Sequence, residues 1–311
     1  MGKIYSLLFA VCYLICGVSC QPGPSERNPR SKPHILATTG MVADMMQHIV
    51  GDSAAVEALM QPGVDPHLYK ASQGDLRKIL DADYLFYNGL HLEGKLATIL
   101  EKQKRVKPVV AVGDGLRGLI RINETAYDPH IWFDVSLWKA ATANAARQLA
   151  ELDTGNAPYY QANARRYMAE LDSLDSWIHA RIGTIPSAKR VLITAHDAFS
   201  YFGRAYGVEV RGLQGISTLS EFGLRDVSGL VDYIVKQEIP AVFVESSVSD
   251  RALKAVLTGV RQRGGTVRIG GNLFSDAMGA SGTATGTYIG MVKHNVNTIV
   301  AALTEHQQQQ L

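Results

Sequence analysis

Asp-Pro-His occurs twice in the chain, at residues 65–67 and 128–130, and each copy places a histidine directly after a proline. Two later residues of metal-ligating type, His196 and Asp276, follow apolar runs that resemble buried strands. Neutral imidazole suits zinc and other late first-row ions, and a carboxylate extends the range toward manganese. We therefore predict one metal site with four ligands: His67, His130, His196 and Asp276.

Each of these residues also has an ordinary structural explanation. A loop histidine after proline is commonly a surface or packed residue. His196, at the junction of an apolar run with a helical segment, could be a helix cap or a core residue with its hydrogen bonds satisfied. Asp276 could cap a helix or stabilise a turn. The repetition of the tripeptide adds weight to the metal site, and both explanations stay open at this point.

Three further carboxylates are placed to support such ligands. Proline restricts both its own backbone and that of the preceding aspartate, which holds each Asp-Pro-His loop in few conformations. Asp65 and Asp128 could therefore accept a hydrogen bond in an Asx-turn or from a ring nitrogen. Glu245 ends the apolar run 241–244, and we expect it to accept a hydrogen bond near the metal without binding it.

From residue 34 onward, short apolar runs alternate with amphipathic stretches, a pattern that predicts strands joined by helices in a mainly parallel α/β sheet. The pattern occurs twice, which indicates two lobes, at residues 34–153 and 185–311. The predicted strands are 35–38, 55–59, 84–87, 108–112, 191–194, 209–213, 241–245 and 266–269. The predicted flanking helices are 41–50, 73–81, 92–104, 135–152, 198–206, 224–237, 250–263 and 286–303. Ligands bind beyond the carboxyl ends of parallel strands, so two candidate ligands from each lobe would face a shared cleft.

Between the lobes, residues 154–184 predict one long linking helix. Apolar residues recur at alternating spacings of four and three, from Tyr160 to Ile178, and so fall on one helical face. Two shorter helices broken near residues 172–175 are the alternative, but neither proline nor glycine interrupts residues 159–182. A single stiff helix of this kind would limit hinge motion between the lobes.

The N-terminus has the layout of a secretory signal. Lys3 precedes an apolar run too short to span a bilayer, and residues 1–20 end at Cys20 in a sequence that resembles a lipoprotein cleavage site. Gly17 stands where a large aliphatic residue is usual, so a plain leader remains the alternative. Residues 21–33 are polar and rich in proline, as in a flexible tether. We expect an exported protein anchored to the membrane through lipidated Cys20.

The composition excludes several other classes. All three cysteines lie within residues 1–20, so the folded part has neither disulfides nor thiolate ligands. The net charge of +2 and the lack of a basic stripe argue against nucleic-acid binding. The remaining 280 or so residues suffice for two domains of ordinary size.

Taken in order, these segments resemble a known family, the metal-binding substrate-binding proteins of zinc and manganese ABC importers, and in particular its TroA-like members. The resemblance covers almost everything after residue 34. It is carried by residues 40–44, 63–69, 88–93, 128–134, 194–199, 212–218, 244–247 and 273–279.

The resemblance implies a two-lobed fold tied by one long helix, with metal captured between the lobes. Carried over by position, the family's ligands fall on the same four residues. It also implies a monomer that is not an enzyme and that delivers Zn²⁺ or Mn²⁺ to an ABC permease in the membrane. His196 replaces the glutamate common in manganese-associated members, whereas residues 106–127 lack the histidine-rich loop of many zinc-dedicated members. The preferred ion therefore stays open.

Two other functions are alternatives to metal capture. An exported metallohydrolase would use a similar site, but catalytic zinc normally keeps one position open for water. The paired histidines at helical spacing that mark many zinc hydrolases are also missing. A role in adhesion has no positive support in the sequence.

Overall fold

The N-terminal lobe is built on one parallel sheet. We describe residues 32–220 and 222–304 of a computed structural model of the chain. Four strands pair in the order β2-β1-β3-β4, all parallel. The elements of this lobe are β1 (His34–Ala37), α1 (Gly40–Val50), β2 (Ala55–Ala58), α2 (Gln73–Asp81), β3 (Tyr84–Tyr87), α3 (Leu96–Gln103), β4 (Val109–Ala111) and α4 (Val135–Leu152).

One long helix, α5 (Ala157–Gly183), leads from this lobe to the next. At 1.5 Å per residue, its 27 residues extend about 40 Å. Pro158 lies in its first turn, where a missing N–H costs no hydrogen bond. The predicted apolar face is buried along the whole length: Tyr160, Ala164, Tyr167, Leu171, Leu174 and Ile178. The prediction of one continuous linking helix is confirmed.

The C-terminal lobe contains two parallel strand pairs, β5–β6 and β7–β8. Its elements are β5 (Val191–His196), α6 (Ser200–Tyr206), β6 (Glu209–Gln214), α7 (Leu224–Lys236), β7 (Ala241–Glu245), α8 (Arg251–Gln262), β8 (Arg268–Leu273) and α9 (Tyr288–Thr304). Where β5 ends beside β7, the backbone N–H of His196 donates to the side chain of Glu245. The two lobes and the parallel α/β class agree with the sequence prediction.

A single hydrophobic core extends through both lobes along α5. It includes Phe86 from β3, Leu171 from α5, and Phe243 and Leu273 from the second lobe, all fully buried. Two smaller clusters cover the other faces of the strands, one in each lobe. The alternation along β1 explains this layering, because Ile35 packs into the shared core and Leu36 packs into the outer cluster. The described residues after Lys32 accordingly belong to one compact unit.

Two predicted boundaries were wrong by four residues, each for a local reason. The helix predicted to begin at residue 92 begins at Leu96, because residues 89–91 all have positive φ and fold as a turn. The strand predicted to end at residue 269 continues to Leu273. Glycine at residue 270 does not end this strand: a Cβ there would lie 2.8 Å from Phe243 and 2.9 Å from Ala302, so glycine is what allows α9 to approach β8.

The predicted signal (residues 1–20), Cys20 and most of the tether (residues 21–33) lie outside the described residues. Within residues 32–220 and 222–304, no helix is both long enough and apolar enough to cross a bilayer.

Candidate metal centre

Four potential ligand atoms from the two lobes converge at the lobe boundary. The Nε2 atoms of His67 and His130 lie 3.3 Å apart. The two oxygens of Asp276 face histidines of different lobes. Oδ1 lies 3.4 Å from His130 Nε2, and Oδ2 lies 3.2 Å from His196 Nε2. Oδ2 is also 3.7 Å from His67 Nε2. The structure thus brings together all four residues that the sequence singled out.

These separations match the edges of a coordination polyhedron. Ligands placed about 2.0–2.1 Å from zinc in a tetrahedron lie about 3.3 Å from one another. The four separations given above, 3.2–3.7 Å, lie near that value, and all four ligand atoms lie within 4.8 Å of one another. Both oxygens of Asp276 face the imidazoles, so the carboxylate can bind a cation through either oxygen or both.

The centre is buried and poorly satisfied by hydrogen bonds. His130 and His196 are fully buried, and His67 and Asp276 are nearly so. Neither oxygen of Asp276, nor Nε2 of His196, has a hydrogen-bond partner of good geometry among the described residues. Because buried polar atoms without partners are costly, their convergence indicates that a cation completes the site.

His130 is held by contacts on its far side. Its Nδ1 atom lies 2.7 Å from Asp128 Oδ1, which also accepts the backbone N–H of His130 at 2.9 Å. This leaves Nε2 facing the centre. The side chain of Asn88 donates to the carbonyl of Pro129 at 3.0 Å, and Tyr201 donates to the carbonyl of Asp128 at 2.8 Å. The loop is therefore fixed from both lobes.

His196 has an equivalent carboxylate partner. It is the last residue of β5, and Glu245 is the last residue of β7. Glu245 Oε1 accepts the backbone N–H of His196 at 2.8 Å, and Oε2 lies 2.6 Å from its Nδ1. A carboxylate behind a ligating imidazole fixes the ring and raises its basicity.

Asp65 is used differently from Asp128, although both precede Pro-His. Its Oδ1 accepts the backbone N–H of His67 at 2.8 Å in an Asx-turn. Its Oδ2 accepts the hydroxyl of Thr218 from the other lobe at 2.6 Å. Both aspartates accept the backbone N–H of the histidine two residues later, as expected for an Asx-turn. Of the two, Asp128 also contacts a ring nitrogen of its histidine.

Asp276 is positioned from both lobes. Asn295 of α9 accepts the N–H of Phe274 at 2.9 Å and donates to its carbonyl at 2.7 Å. Trp132 of the N-terminal lobe donates to the carbonyl of Ser275 at 3.0 Å. These bonds order the two residues that immediately precede the carboxylate.

The charges are strongly coupled. Burial lowers the pKa of His67 to about 4, and the neighbouring histidines act in the same direction. Burial would also lower the pKa of His130, but Asp128 and Asp276 raise it to about 9. Burial opposes ionisation of Asp276, yet His196 and His130 hold its pKa well below the usual range. The carboxylate is therefore ionised, as a cation ligand must be.

A cleft of about 550 Å³ opens to solvent beside the centre, and of the four candidate ligands only Asp276 lines it. It is lined in part by Asp44, Glu57 and Asp276. Neither lysine nor arginine occurs among its lining residues, all of which lie in the described part of the chain. With no basic side chain in its lining, the cleft does not repel a cation.

The sequence did not single out Thr218, Asn88 or Trp132. Thr218 and Asn88 contact the centre only through another residue. Trp132 donates to the carbonyl of Ser275 and also lies edge-on to the His130 ring, with the ring centroids 5.3 Å apart. None of these residue types marks such a role in a sequence. Their only signal was membership of the segments that carry the family resemblance.

Comparisons with known proteins agree with this geometry. Residues 35–302 match the family described as the periplasmic zinc-uptake complex component A, ZnuA. The manganese-binding lipoprotein MntA of Bacillus subtilis is 45% identical over 305 residues, covering 97% of this chain and 99% of that protein. The zinc-binding protein TroA of Treponema pallidum is 42% identical over 292 residues, covering 93% and 95%.

One solved structure of TroA superimposes with a TM-score of 0.85 at 44% identity, covering 88% of this chain and 99% of that one. A more distant relative is PsaA of Streptococcus pneumoniae, a manganese ABC transporter substrate-binding lipoprotein. It is 30% identical over 314 residues, covering 98% of this chain and all of that protein. The shared fold and the extent of these matches show that the chain belongs to the ZnuA family of periplasmic metal-uptake components.

Proposed function

We propose that this protein captures a divalent transition metal, zinc or manganese, between its lobes and delivers it to an ABC permease in the membrane. The ligands are His67, His130, His196 and Asp276. The observation that carries the proposal is the convergence of their four buried ligand atoms within 4.8 Å of one another. The substrate-binding role named for PsaA, and the metals named for MntA and TroA, support it.

The donor set suits either ion. Three imidazoles favour zinc over manganese in intrinsic affinity, whereas a carboxylate able to bind through both oxygens can raise the coordination number that manganese accepts. Zinc should therefore bind more tightly in vitro. The ion carried in the cell also depends on availability and on the permease.

The proposed organisation follows from this role. Residues 1–20 direct export and end at a lipidated Cys20, residues 21–33 form a tether, and residues 154–184 link the lobes 34–153 and 185–311. The name lipoprotein carried by MntA and PsaA supports the anchor. The protein acts as a monomer on the outer face of the membrane and does not bind nucleic acid.

Hydrolysis is the less favoured alternative. A catalytic zinc keeps a coordination position for water, whereas here four residues surround the centre and both oxygens of Asp276 face it. We therefore propose that the protein is not an enzyme. Turnover of an ester or peptide substrate by the metal-loaded protein would contradict this.

Calorimetric titration of apo-protein with Zn²⁺ and Mn²⁺ tests the ligand set. The wild type should bind one ion per chain, and H67A and H130A should lose stoichiometric binding. H179A is the matched control, because His179 is exposed on α5. Unchanged affinity in both H67A and H130A would refute the proposal.

A further inference from the structure

The two Asp-Pro-His loops are secured to the C-terminal lobe in different ways. The His130 loop is held through its backbone, by the buried hydroxyl of Tyr201. The His67 loop is held through a side chain, because Asp65 Oδ2 accepts the hydroxyl of Thr218. Thr218 is only partly buried.

The Thr218 hydroxyl is well placed for a strong hydrogen bond. Its 2.6 Å distance to Asp65 is typical of a hydroxyl that donates to an ionised carboxylate. The loop that presents it is fixed to the end of β6, since the Gln214 side chain donates to the carbonyls of Thr218 and Ser220 at 3.0 and 2.8 Å. Movement of Thr218 away from Asp65 therefore requires this whole turn to shift.

Asp65 connects the Thr218 hydroxyl to the backbone of His67. Through Oδ1 it accepts the backbone N–H of His67, and through Oδ2 it accepts the hydroxyl from the opposite lobe. The bond that Tyr201 donates to the His130 loop is buried, so Thr218 lies at the more accessible edge. Loss of its bond would free the His67 loop while leaving His130, His196 and Asp276 supported.

We propose that Thr218 is a positioning residue that clamps the His67 loop to the C-terminal lobe and so slows dissociation of the bound metal. The inference rests on the proposed function and adds a determinant of its release rate. A hydrogen bond to a charged acceptor contributes enough to change a rate by about tenfold. Its rupture gives metal release a starting point that needs no separation of the lobes.

The test compares T218V, which has nearly the same shape without the hydroxyl, with T218S, which keeps the donor. Each variant is loaded with Zn²⁺ or Mn²⁺, and metal loss to excess chelator is followed by stopped flow. We expect metal loss about tenfold faster in T218V and near the wild-type rate in T218S. T258V is the matched control, because Thr258 lies on α8 and donates within its own helix.

The outcomes separate the clamp from the metal site. If wild type binds one metal ion and T218V releases it at the wild-type rate, the clamp is refuted and the proposed function stands. A wild-type chain that binds no metal overturns both. If T218V lowers the unfolding temperature of the metal-free protein while T218S releases metal as fast as T218V, the effect is general loosening, and the clamp is again refuted.

Hydrogen exchange on the wild type gives a second measurement that requires no variant. The clamp predicts that metal binding increases amide protection in residues 65–69 and 215–220 together. Protection of the first segment alone would contradict it.

Discussion

Trp132 donates its indole N–H to the backbone carbonyl of Ser275 at 3.0 Å, across the boundary between the lobes. Both residues are buried, and Ser275 immediately precedes Asp276. The same tryptophan accepts the hydroxyl of Tyr288, the first residue of α9, at its own carbonyl. The residue that precedes the Asp276 carboxylate is therefore held by the opposite lobe.

Replacing this indole should weaken both the fold and the metal site. W132F removes the donor and leaves the buried carbonyl of Ser275 without it, at a cost of about 1–3 kcal/mol. We expect a lower unfolding free energy for the metal-free protein in denaturant titration and a severalfold weaker metal affinity by calorimetry. W177F is the control, because Trp177 lies on α5, is only partly buried and has its ring beneath Lys293. Unchanged affinity in W132F would show that the bond does not position Asp276.

Removal of the carboxylate behind His196 should reduce affinity without removing a ligand. In the wild type, the backbone N–H and Nδ1 of His196 each contact one carboxylate oxygen of Glu245. In E245Q, an amide nitrogen replaces one of these oxygens and can no longer accept a hydrogen bond there. Changes of this kind typically lower metal affinity about 10- to 100-fold. Competition with a chelator of known affinity measures the loss. E209Q, at an exposed position of the same lobe, should leave affinity unchanged.

Glu93 gives the metal-free protein a pH dependence of its own. The side chain is fully buried, and burial raises its pKa to about 7, against hydrogen bonds donated by Thr38 and by the backbone of Asn88 and Gly89. A carboxyl whose pKa is higher in the folded state favours folding when protonated. The contribution of Glu93 to the free energy of unfolding is thus fully present below pH about 4.5. It is lost as the pH rises through about 7, a change of about 3 kcal/mol.

The variant E93Q tests this dependence. Glutamine does not titrate, so the difference in unfolding free energy between wild type and E93Q should change between pH 4.5 and 7. At pH 4.5 and below, E93Q should be less stable than wild type, because its amide group replaces an oxygen that accepts a backbone N–H. This difference should shrink as the pH rises to about 7. Denaturant titrations across this range provide the measurement. A constant difference would show that Glu93 does not titrate there.

The core shared by both lobes predicts a single unfolding transition. Leu171 of α5 is fully buried in that core, and L171A should cost about 2–5 kcal/mol. Calorimetry of the metal-free variant should show one transition at a lower temperature. L80A is the control, because Leu80 is 60% exposed. Two separate unfolding transitions in L171A or in L80A would contradict a common core.

The sequence predicted the strands and the linking helix well, because these elements follow from patterns among residues that are close together in the chain. Apolar alternation located the strands, and the spacing from Tyr160 to Ile178 located α5. The ligand types and the repeated tripeptide pointed to four residues that the fold brings together.

The sequence could not predict which side chains form hydrogen bonds between residues that are far apart in the chain. The hydroxyl of Thr218 meets Asp65 from 153 positions away, and the indole of Trp132 meets Ser275 from 143. Neither residue type signals such a contact. The start of α3 was misplaced for a related reason, since the buried Glu93 carboxylate accepts backbone N–H groups of residues 88 and 89 and orders a turn where periodicity indicated a helix.

The continuous core along α5 also limits how proteins of this design can be re-engineered. Phe86, Leu171 and Phe243 belong to one packed cluster, so a half taken from a relative would bring mismatched side chains to the junction. Chimaeras assembled at the linker should therefore misfold more often than variants carrying a few substitutions in the ligand loops. Ion preference in this scaffold is better altered by changing single residues than by recombining halves.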